Sequence, residues 1–187
     1  MKTRYAELTY PIGEQALQGK AENSNTCLEL IYDQYAPSLF RYALAITNSP
    51  DDAEDAVQNV FLNIARDLSR VRKIKNLKAY LYTATRNAAY SILRSKKRDE
   101  DHEQGLCTEA DRHETSIEES VIRASIIREA FPSLPLEQRE VLVLKVFDGM
   151  TFREIAETVG VSVNTIIARY RYGIDRMRRA LGENCDG

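Results

Sequence analysis

The sequence is poor in the residues that mark several classes of fold. It has only three cysteines, which are odd in number and far apart, so we expect no disulfide framework. A reducing cytoplasm fits such a sequence best. Eight glycines, five prolines and no tryptophan among 187 residues favour helices over a turn-rich β fold. No apolar stretch approaches the roughly 18 residues of a membrane helix. The first ten residues lack the apolar core of a secretory signal, so we expect none.

Signatures of catalysis are also missing from the sequence. It contains no GxGxxG motif, Walker-type loop, GxSxG motif or paired metal-binding cysteines. His102, Cys107 and His113 share one segment, but they lack a fourth ligand at matching spacing and do not predict a zinc site. We therefore expect no catalytic residue, no cofactor and no bound metal.

Charge is strongly segregated, although 26 basic and 28 acidic side chains nearly cancel. Residues 66–98 contain 11 basic and 1 acidic side chains, whereas residues 99–120 contain 1 basic and 9 acidic ones. So dense a basic block predicts an anionic partner such as nucleic acid, with a merely solvated helix face as the alternative. The acidic segment is poor in large apolar residues, which predicts a flexible linker.

Helical periodicity dominates the first half of the chain. An apolar stripe predicts a first helix from about Thr26 to Thr47, with a kink or break at Pro37. Ser49-Pro50 has the form of an N-cap and a first helical residue, so a second helix begins there. Residues 70–76 are basic without regular spacing and predict a loop. A third helix is expected from about Leu77 to Lys96.

Four helices are predicted in the last third, and the final two form a helix-turn-helix. The earlier two are expected over Ile117–Phe131 and Leu136–Phe147. Residues 151–154 have the form of a capping box, Gly160 supplies the turn, and Ser162 caps the last helix. The second helix of such a motif enters a DNA major groove. The alternative is an ordinary helical hairpin with a solvated arginine face.

Tyrosines are interleaved with cations in the basic block. Tyr80, Tyr82 and Tyr90 lie among lysines and arginines. Aromatic rings stack on unpaired bases while cations follow the phosphate backbone, so the block is typical of a surface for single-stranded or melted DNA. For each tyrosine an alternative is equally open: a half-buried core residue whose hydroxyl group contacts water.

Three segments, in this order, resemble the sigma-70 family of bacterial transcription factors. They are residues 52–61 (DAEDAVQNVF), residues 77–87 (LKAYLYTATRN) and residues 134–169. With no further domain between them, they resemble the small extracytoplasmic-function (ECF, group 4) sigma factors. The resemblance implies an all-α fold with two small helical domains joined by a flexible acidic linker. The expected divisions are an N-terminal extension (1–25), sigma region 2 (26–98), the acidic linker (99–120) and a region 4 helix-turn-helix (121–183).

The resemblance also implies a function and its residues. Such a factor is cytoplasmic and not an enzyme; it binds core RNA polymerase, recognises the −10 and −35 promoter elements, assists melting and is controlled by an anti-sigma factor. It does not insert into a membrane. The implied partners on the polymerase are the β′ clamp helices and the β subunit. Contacts with the clamp helices are implied for Asp55, Gln58 and Asn59. Contacts to the −10 element are implied for Lys73, Lys75, Asn76, Tyr80, Arg86, Asn87, Tyr90 and Arg94. Contacts to the −35 element are implied for Arg153, Ser162, Asn164, Thr165, Ile167, Ala168 and Arg171.

Four positions depart from the usual pattern of the family. Asn59 replaces the usual Glu, Tyr80 the common Trp, Asn164 a usual Gly, and Ile167 a usual Lys or Arg. Ile167 therefore predicts an apolar contact, such as with a thymine methyl group. Two other functions stay open: a helix-turn-helix regulator that acts without polymerase, and a sigma-like decoy that sequesters an anti-sigma factor.

Overall fold

Helices account for the regular structure of the chain in a computed structural model, which describes residues 24–71, 73–102, 131 and 133–182. Side chains are described for residues 26–71, 73–98, 131 and 133–180. The first unit comprises α1 (Ser24–Thr47), α2 (Pro50–Arg66), α3 (Leu68–Val71) and α4 (Leu77–His102). The second comprises α5 (Leu136–Leu142), a π-helical turn (Val143–Phe147), α6 (Phe152–Val159) and α7 (Val163–Gly182). No strand occurs in the described ranges, and the expected all-α class is confirmed.

The start of α2 forms as its sequence predicts. Ser49 Oγ accepts a hydrogen bond from the amide of Asp52 at 3.4 Å, and Pro50 is the first helical residue. Asp51 and Asp52 lie in the first turn, where negative charge is stabilised by the helix dipole. Helix α1 continues through Pro37, so this proline does not break it.

Several element boundaries differ from the predicted ones. Residues 70 and 71 belong to the single turn of α3 rather than to a loop, because Asp67 caps it by accepting from the Arg70 amide at 3.0 Å. Helix α4 continues to His102, so residues 99–102 are helical and the predicted linker begins too early. The helix predicted over Leu136–Phe147 changes to π geometry after Leu142.

Other predicted elements lie outside the described residues. They are the rest of the linker, all but the last residue of the helix expected over Ile117–Phe131, and most of the N-terminal extension. Ser24 and Asn25, the last residues of that extension, already belong to α1. None of the described helices is both long enough and apolar enough to cross a membrane.

The first unit packs α1, α2 and α4 around a common apolar core. Ile31 and Leu39 of α1, Ile64 of α2, and Leu77 and Leu81 of α4 are completely buried. Burial of each such side chain contributes about 1.5–3 kcal/mol. The acidic start of α2 is tied to α4 by an ion pair of 2.7 Å between Asp52 and Lys96.

The second unit packs α7 across α5 and α6. Leu144, Ile155 and Ile166 are completely buried there. Gly173 of α7 lies so close to α5 that a Cβ atom on it would be 3.0 Å from Cδ1 of Leu142. A glycine at this position therefore lets the two helices approach closely.

The buried side chains of the two units form one continuous cluster. Helices α1 and α4 of the first unit contact α5, the π-helical turn and α6 of the second. Tyr42 and Tyr82 lie at this boundary with ring centroids 5.5 Å apart, and Met150 is 1% exposed. The units therefore share an interior rather than meeting only at their surfaces.

Candidate nucleic-acid interface

The helix-turn-helix is formed by α6, the turn at Gly160 and α7. Thr151 Oγ1 accepts from the Glu154 amide at 3.2 Å, and Glu154 Oε2 accepts from the Thr151 amide at 2.7 Å. The amide of Thr151, and then its hydroxyl, donate to the Glu154 carboxylate and hold the pKa of Glu154 below its usual value. Gly160 has the left-handed φ of 78° that lets the chain turn. Ser162 Oγ then accepts from the Thr165 amide at 3.1 Å and caps α7.

The first turns of α7 present an outward face. The exposed members of the predicted −35 set are Arg153, Ser162, Asn164, Ile167 and Arg171, and the half-buried members are Thr165 and Ala168. Ile166 points inward and is completely buried, which fixes the rotation of the helix. Ile167, next to it, keeps 39% of its surface exposed. Five members of this set are thus open to solvent, and two are partly covered.

The predicted −10 set is divided between open and covered positions. Lys73, Lys75, Asn87 and Arg94 are exposed, and Tyr80 is half-buried. Asn76 is exposed too, but its Oδ1 accepts from the Ala79 amide at 3.0 Å and caps the start of α4. This capping role of Asn76 was missed by the sequence reasoning, although Asn at a helix start is its ordinary signal.

Arg86 and Tyr90 are engaged with the second unit. The Arg86 guanidinium lies 4.5 Å from the centroid of the Tyr90 ring, and its Nε donates to Glu140 Oε1 at 2.6 Å. Desolvation is the largest single effect and acts to lower the pKa of Arg86, but the hydrogen bond and charge of Glu140, with Tyr42 and Tyr90, together outweigh it and the pKa is raised. Burial, followed by the charge of Glu140, raises the pKa of Tyr90. Glu140 itself carried no signal in the sequence.

For Tyr82, the core alternative is the correct one. Its side chain is 1% exposed and packs against Tyr42. Burial raises its pKa well above that of an ordinary tyrosine. Tyr82 is therefore not available to stack on a base in this arrangement.

The predicted polymerase-binding residues lie on the solvent side of α2. Asp55, Gln58 and Asn59 are all exposed, opposite the buried apolar stripe. An open groove of about 430 Å³ runs between α1 and α2 beside them. Its lining consists of Tyr32, Asp33, Ala36, Pro37, Phe40, Glu54, Val57 and Gln58.

The α1 wall of this groove was missed by the sequence reasoning. Tyr32 is 50% exposed and packs edge-on against Phe61 at 4.8 Å between ring centroids. Its signal was present, because Tyr32, Ala36 and Phe40 recur at a spacing of four residues beside the main stripe. A second apolar stripe on one helix indicates a second contact surface.

No group of three or more His, Cys, Asp or Glu able to hold a metal ion occurs among the residues that the structure describes. Cys27 is buried in the first unit with its thiol free. The side chains of His102, Cys107 and His113 lie outside the described set.

Comparison with known proteins identifies two successive family regions. The model of Sigma-70 region 2 matches residues 31–99, and that of Sigma-70, region 4 matches residues 124–171. The ECF RNA polymerase sigma factor EcfG of Rhodopseudomonas palustris (strain TIE-1) is 28% identical over 133 residues, covering 71% of this chain and 73% of that protein. The ECF RNA polymerase sigma factor SigL of Mycobacterium tuberculosis (strain H37Rv) is 27% identical over 176 residues, covering 89% and 96%.

Two solved structures share the fold. The sigma factor RpoE of Bartonella quintana, in complex with the anti-sigma factor NepR, has a TM-score of 0.72 and 25% identity, covering 82% of this chain and 96% of that one. CnrH, in complex with the cytosolic domain of CnrY, has a TM-score of 0.62 and 17% identity, covering 91% and 95%. The two matched regions overlap the two helical units. The chain therefore belongs to the sigma-70 family of transcription initiation factors, among its ECF members.

Proposed function

We propose that this sigma factor binds core RNA polymerase through the groove side of α2, reads the −10 element with α4 and the loop before it, and reads the −35 element with α7. It acts in the bacterial cytoplasm, where polymerase and promoters are found, and has no catalytic step of its own. The observation that carries the proposal is the outward face of α7 at the start of a fully capped helix-turn-helix.

The −35 element is read by the first turns of α7 in the major groove. Asn164 and Ile167 are exposed where the helix would meet base edges. Arg171, one turn further along, and Arg153 on α6 are placed for phosphate contacts, which fix the position of the protein without specifying sequence. Ile167 accepts no hydrogen bond, so it favours a methyl-bearing base.

The −10 element binds along α4 and the preceding loop. Lys73, Lys75 and Arg94 provide exposed positive charge for the backbone of a strand, and Asn87 provides an exposed amide. Half-buried Tyr80 offers a stacking surface to an unpaired base. Capture of such a base stabilises the melted duplex and so assists opening.

The resemblance implies the β′ clamp helices as the polymerase partner, and the lining of the groove favours basic side chains and an apolar anchor on that partner. Tyr32 and Phe40 give the groove apolar walls, while Asp33 and Glu54 give it acidic ones. Exposed Asp55 and Asn59 extend this polar edge along α2. An apolar centre with a charged rim is the usual anatomy of a protein interface.

Control by an anti-sigma factor is also proposed. It is supported by the solved complex of the sigma factor RpoE with the anti-sigma factor NepR. That sigma factor shares 25% identity with this chain at a TM-score of 0.72.

Run-off transcription tests the proposal. Core polymerase from the source bacterium is given a promoter library with and without the protein, and the expected result is a set of start sites that depend on it. The enriched sequences reveal both promoter elements. Duplex binding without transcription would instead support a stand-alone regulator. Neither activity, with capture of an anti-sigma factor, would support a decoy.

A further inference from the structure

Tyr172 is an exposed aromatic residue of α7 that belongs to none of the contact sets described above. It keeps 59% of its surface exposed, compared with 39% for Ile167. A single exposed aromatic side chain is common on protein surfaces and by itself indicates no contact. Two further observations are informative: the direction of Tyr172 on the helix and the charge of its neighbours.

The neighbouring helices define the direction of Tyr172. Two residues before it, the ring of Tyr170 packs edge-on against Phe152 of α6, with 5.4 Å between the ring centroids. One residue after it, Gly173 faces Leu142 of α5. Successive residues of an α-helix are about 100° apart, so Tyr172 points about 160° away from α6 and about 100° away from α5. Tyr172 therefore lies on the side of α7 that is opposite α6.

The same side of α7 carries positive charge. Arg176 follows Tyr172 by four residues, which places it one turn further along that side, and it is exposed. Helix α7 as a whole contains five arginines and a single acidic residue, Asp175. We call Tyr172 and Arg176 the outer edge of α7. A positively charged edge with a hydroxyl donor is suited to the phosphates of a DNA strand.

Placement of α7 in a major groove puts its outer edge against one strand of the duplex. The first helix of a helix-turn-helix crosses the DNA backbone, and Arg153 of α6 is exposed on that side of the motif. Because the outer edge lies on the other side of α7, it faces the backbone of the opposite strand. Tyr172 lies about 13 Å along the helix axis from Val163, a distance comparable to the groove width of about 12 Å.

We propose that Tyr172 binds a phosphate of the strand opposite the one that Arg153 contacts, so that the helix-turn-helix holds both backbones of the −35 duplex. This inference rests on the proposed reading of the −35 element by α7. The Tyr172 hydroxyl donates a hydrogen bond to a phosphate oxygen, and Arg176 adds positive charge beside the same backbone. Such contacts fix the position of the protein on the duplex and carry no base preference.

Ethylation interference on the polymerase holoenzyme tests the inference. The full chain is combined with core polymerase and with a promoter fragment selected by run-off transcription, in which single phosphates are ethylated at random. Wild type, Tyr172→Phe and Arg153→Gln are compared for affinity and for the phosphates at which ethylation weakens binding. Tyr170→Phe is the matched control, since it removes a hydroxyl group from the α6 side of the same helix.

Tyr172→Phe is expected to lose interference at one phosphate of the −35 element, on the strand opposite the phosphate at which Arg153→Gln loses it. Its affinity is expected to fall about fivefold, as for the loss of one hydrogen bond. Its base preference and salt dependence are expected to match wild type, because a neutral donor releases no counterion. Arg153→Gln is expected to reduce the salt slope by about one. Tyr170→Phe is expected to keep the wild-type affinity and interference pattern.

Two results would overturn the inference while the proposed function stands. One is a Tyr172→Phe variant that keeps the affinity and interference pattern of a wild type that directs transcription. The other is loss of interference on the same strand in Tyr172→Phe and Arg153→Gln. If the wild type directs no transcription from any fragment, the proposed function and this inference both fail.

Discussion

Arg86 donates a 2.6 Å hydrogen bond to Glu140 although the two residues are 54 positions apart and belong to different helical units. The carboxylate of Glu140 is completely buried, whereas Arg86 keeps 24% of its side chain exposed. Glu140 therefore depends on its protein donors to compensate its buried charge, whereas water still reaches Arg86.

Removal of Arg86 alone is expected to lower the free energy of unfolding more than removal of both Arg86 and Glu140. Arg86→Met leaves a buried charge with only the Tyr42 hydroxyl, so the free energy of unfolding is expected to fall by about 3 kcal/mol, the lower end for a broken buried pair because water reaches Arg86. Adding Glu140→Leu removes that charge and is expected to recover at least half of the loss. Urea denaturation of both variants measures this, and a double variant less stable than Arg86→Met would contradict it.

The capping box predicts a pH-dependent stability. Because Thr151 donates to the Glu154 carboxylate, the pKa of Glu154 is lower in the folded protein. Its contribution is therefore complete above the usual carboxyl pKa and is lost as the pH falls through the lower folded value. Glu154→Gln is expected to destabilise the protein at pH 7 and to equal wild type at pH 2. Urea denaturation at both pH values checks this. A difference in stability between Glu154→Gln and wild type that is larger at pH 2 than at pH 7 would rule it out.

The turn of the helix-turn-helix depends on glycine for its backbone. Gly160 has a φ of 78°, and the space around it is open, so Gly160→Ala is penalised by conformation rather than by a clash. We expect a loss of about 1–2 kcal/mol. Gly160→Asn is the matched control, since Asn adopts this conformation more readily and is expected to lose less. Thermal unfolding measures the stability of both variants. Equal melting temperatures for Gly160→Ala and Gly160→Asn would contradict the prediction.

Ile167 is expected to determine one base of the −35 element. Ile167→Lys replaces an exposed apolar side chain by a donor, so the preferred base at one position is expected to shift from thymine toward guanine. Arg178→Ala, at an exposed position near the C-terminal end of α7, is the control and is expected to keep the preference. Sequencing of DNA selected by polymerase with each variant measures the shift; an unchanged preference in Ile167→Lys would count against a base contact.

The groove between α1 and α2 is expected to dominate polymerase affinity. Tyr32→Ala removes an exposed aromatic wall, and Gln58→Ala removes a polar lining residue. Each is expected to weaken binding to core polymerase about tenfold, as a central interface residue does. Asn63→Ala, exposed on α2 but outside the groove lining, serves as the control. Biolayer interferometry with immobilised polymerase distinguishes them, and equal effects at all three positions would refute the assignment.

Local signals in the sequence predicted the local structure well. The N-cap of α2 at Ser49, the capping box of α6 and the turn at Gly160 all form where they were expected. Each of these signals involves partners within about four residues, so the chain segment contains the whole interaction. The apolar residues that α2 buries likewise recur at helical spacing, which alone decides which residues share a face.

Boundaries and joint surfaces were predicted less well. No strong helix breaker or cap in the sequence predicts the change to π geometry after Leu142. The same holds for the extension of α4 to His102. The groove at Tyr32 depends on two helices meeting, whereas the second apolar stripe of α1 by itself indicates only a further contact surface.

The sequence by itself determined the helices, the helix-turn-helix and the segregation of charge, because these depend on residue type and short spacing. Only the tertiary structure decided which charged and aromatic residues are covered. Tyr42 and Glu140 are 98 positions apart, and no periodicity relates them. Their burial arises because two units share one apolar interior, which brings a carboxylate of the second against the cations and tyrosines of the first.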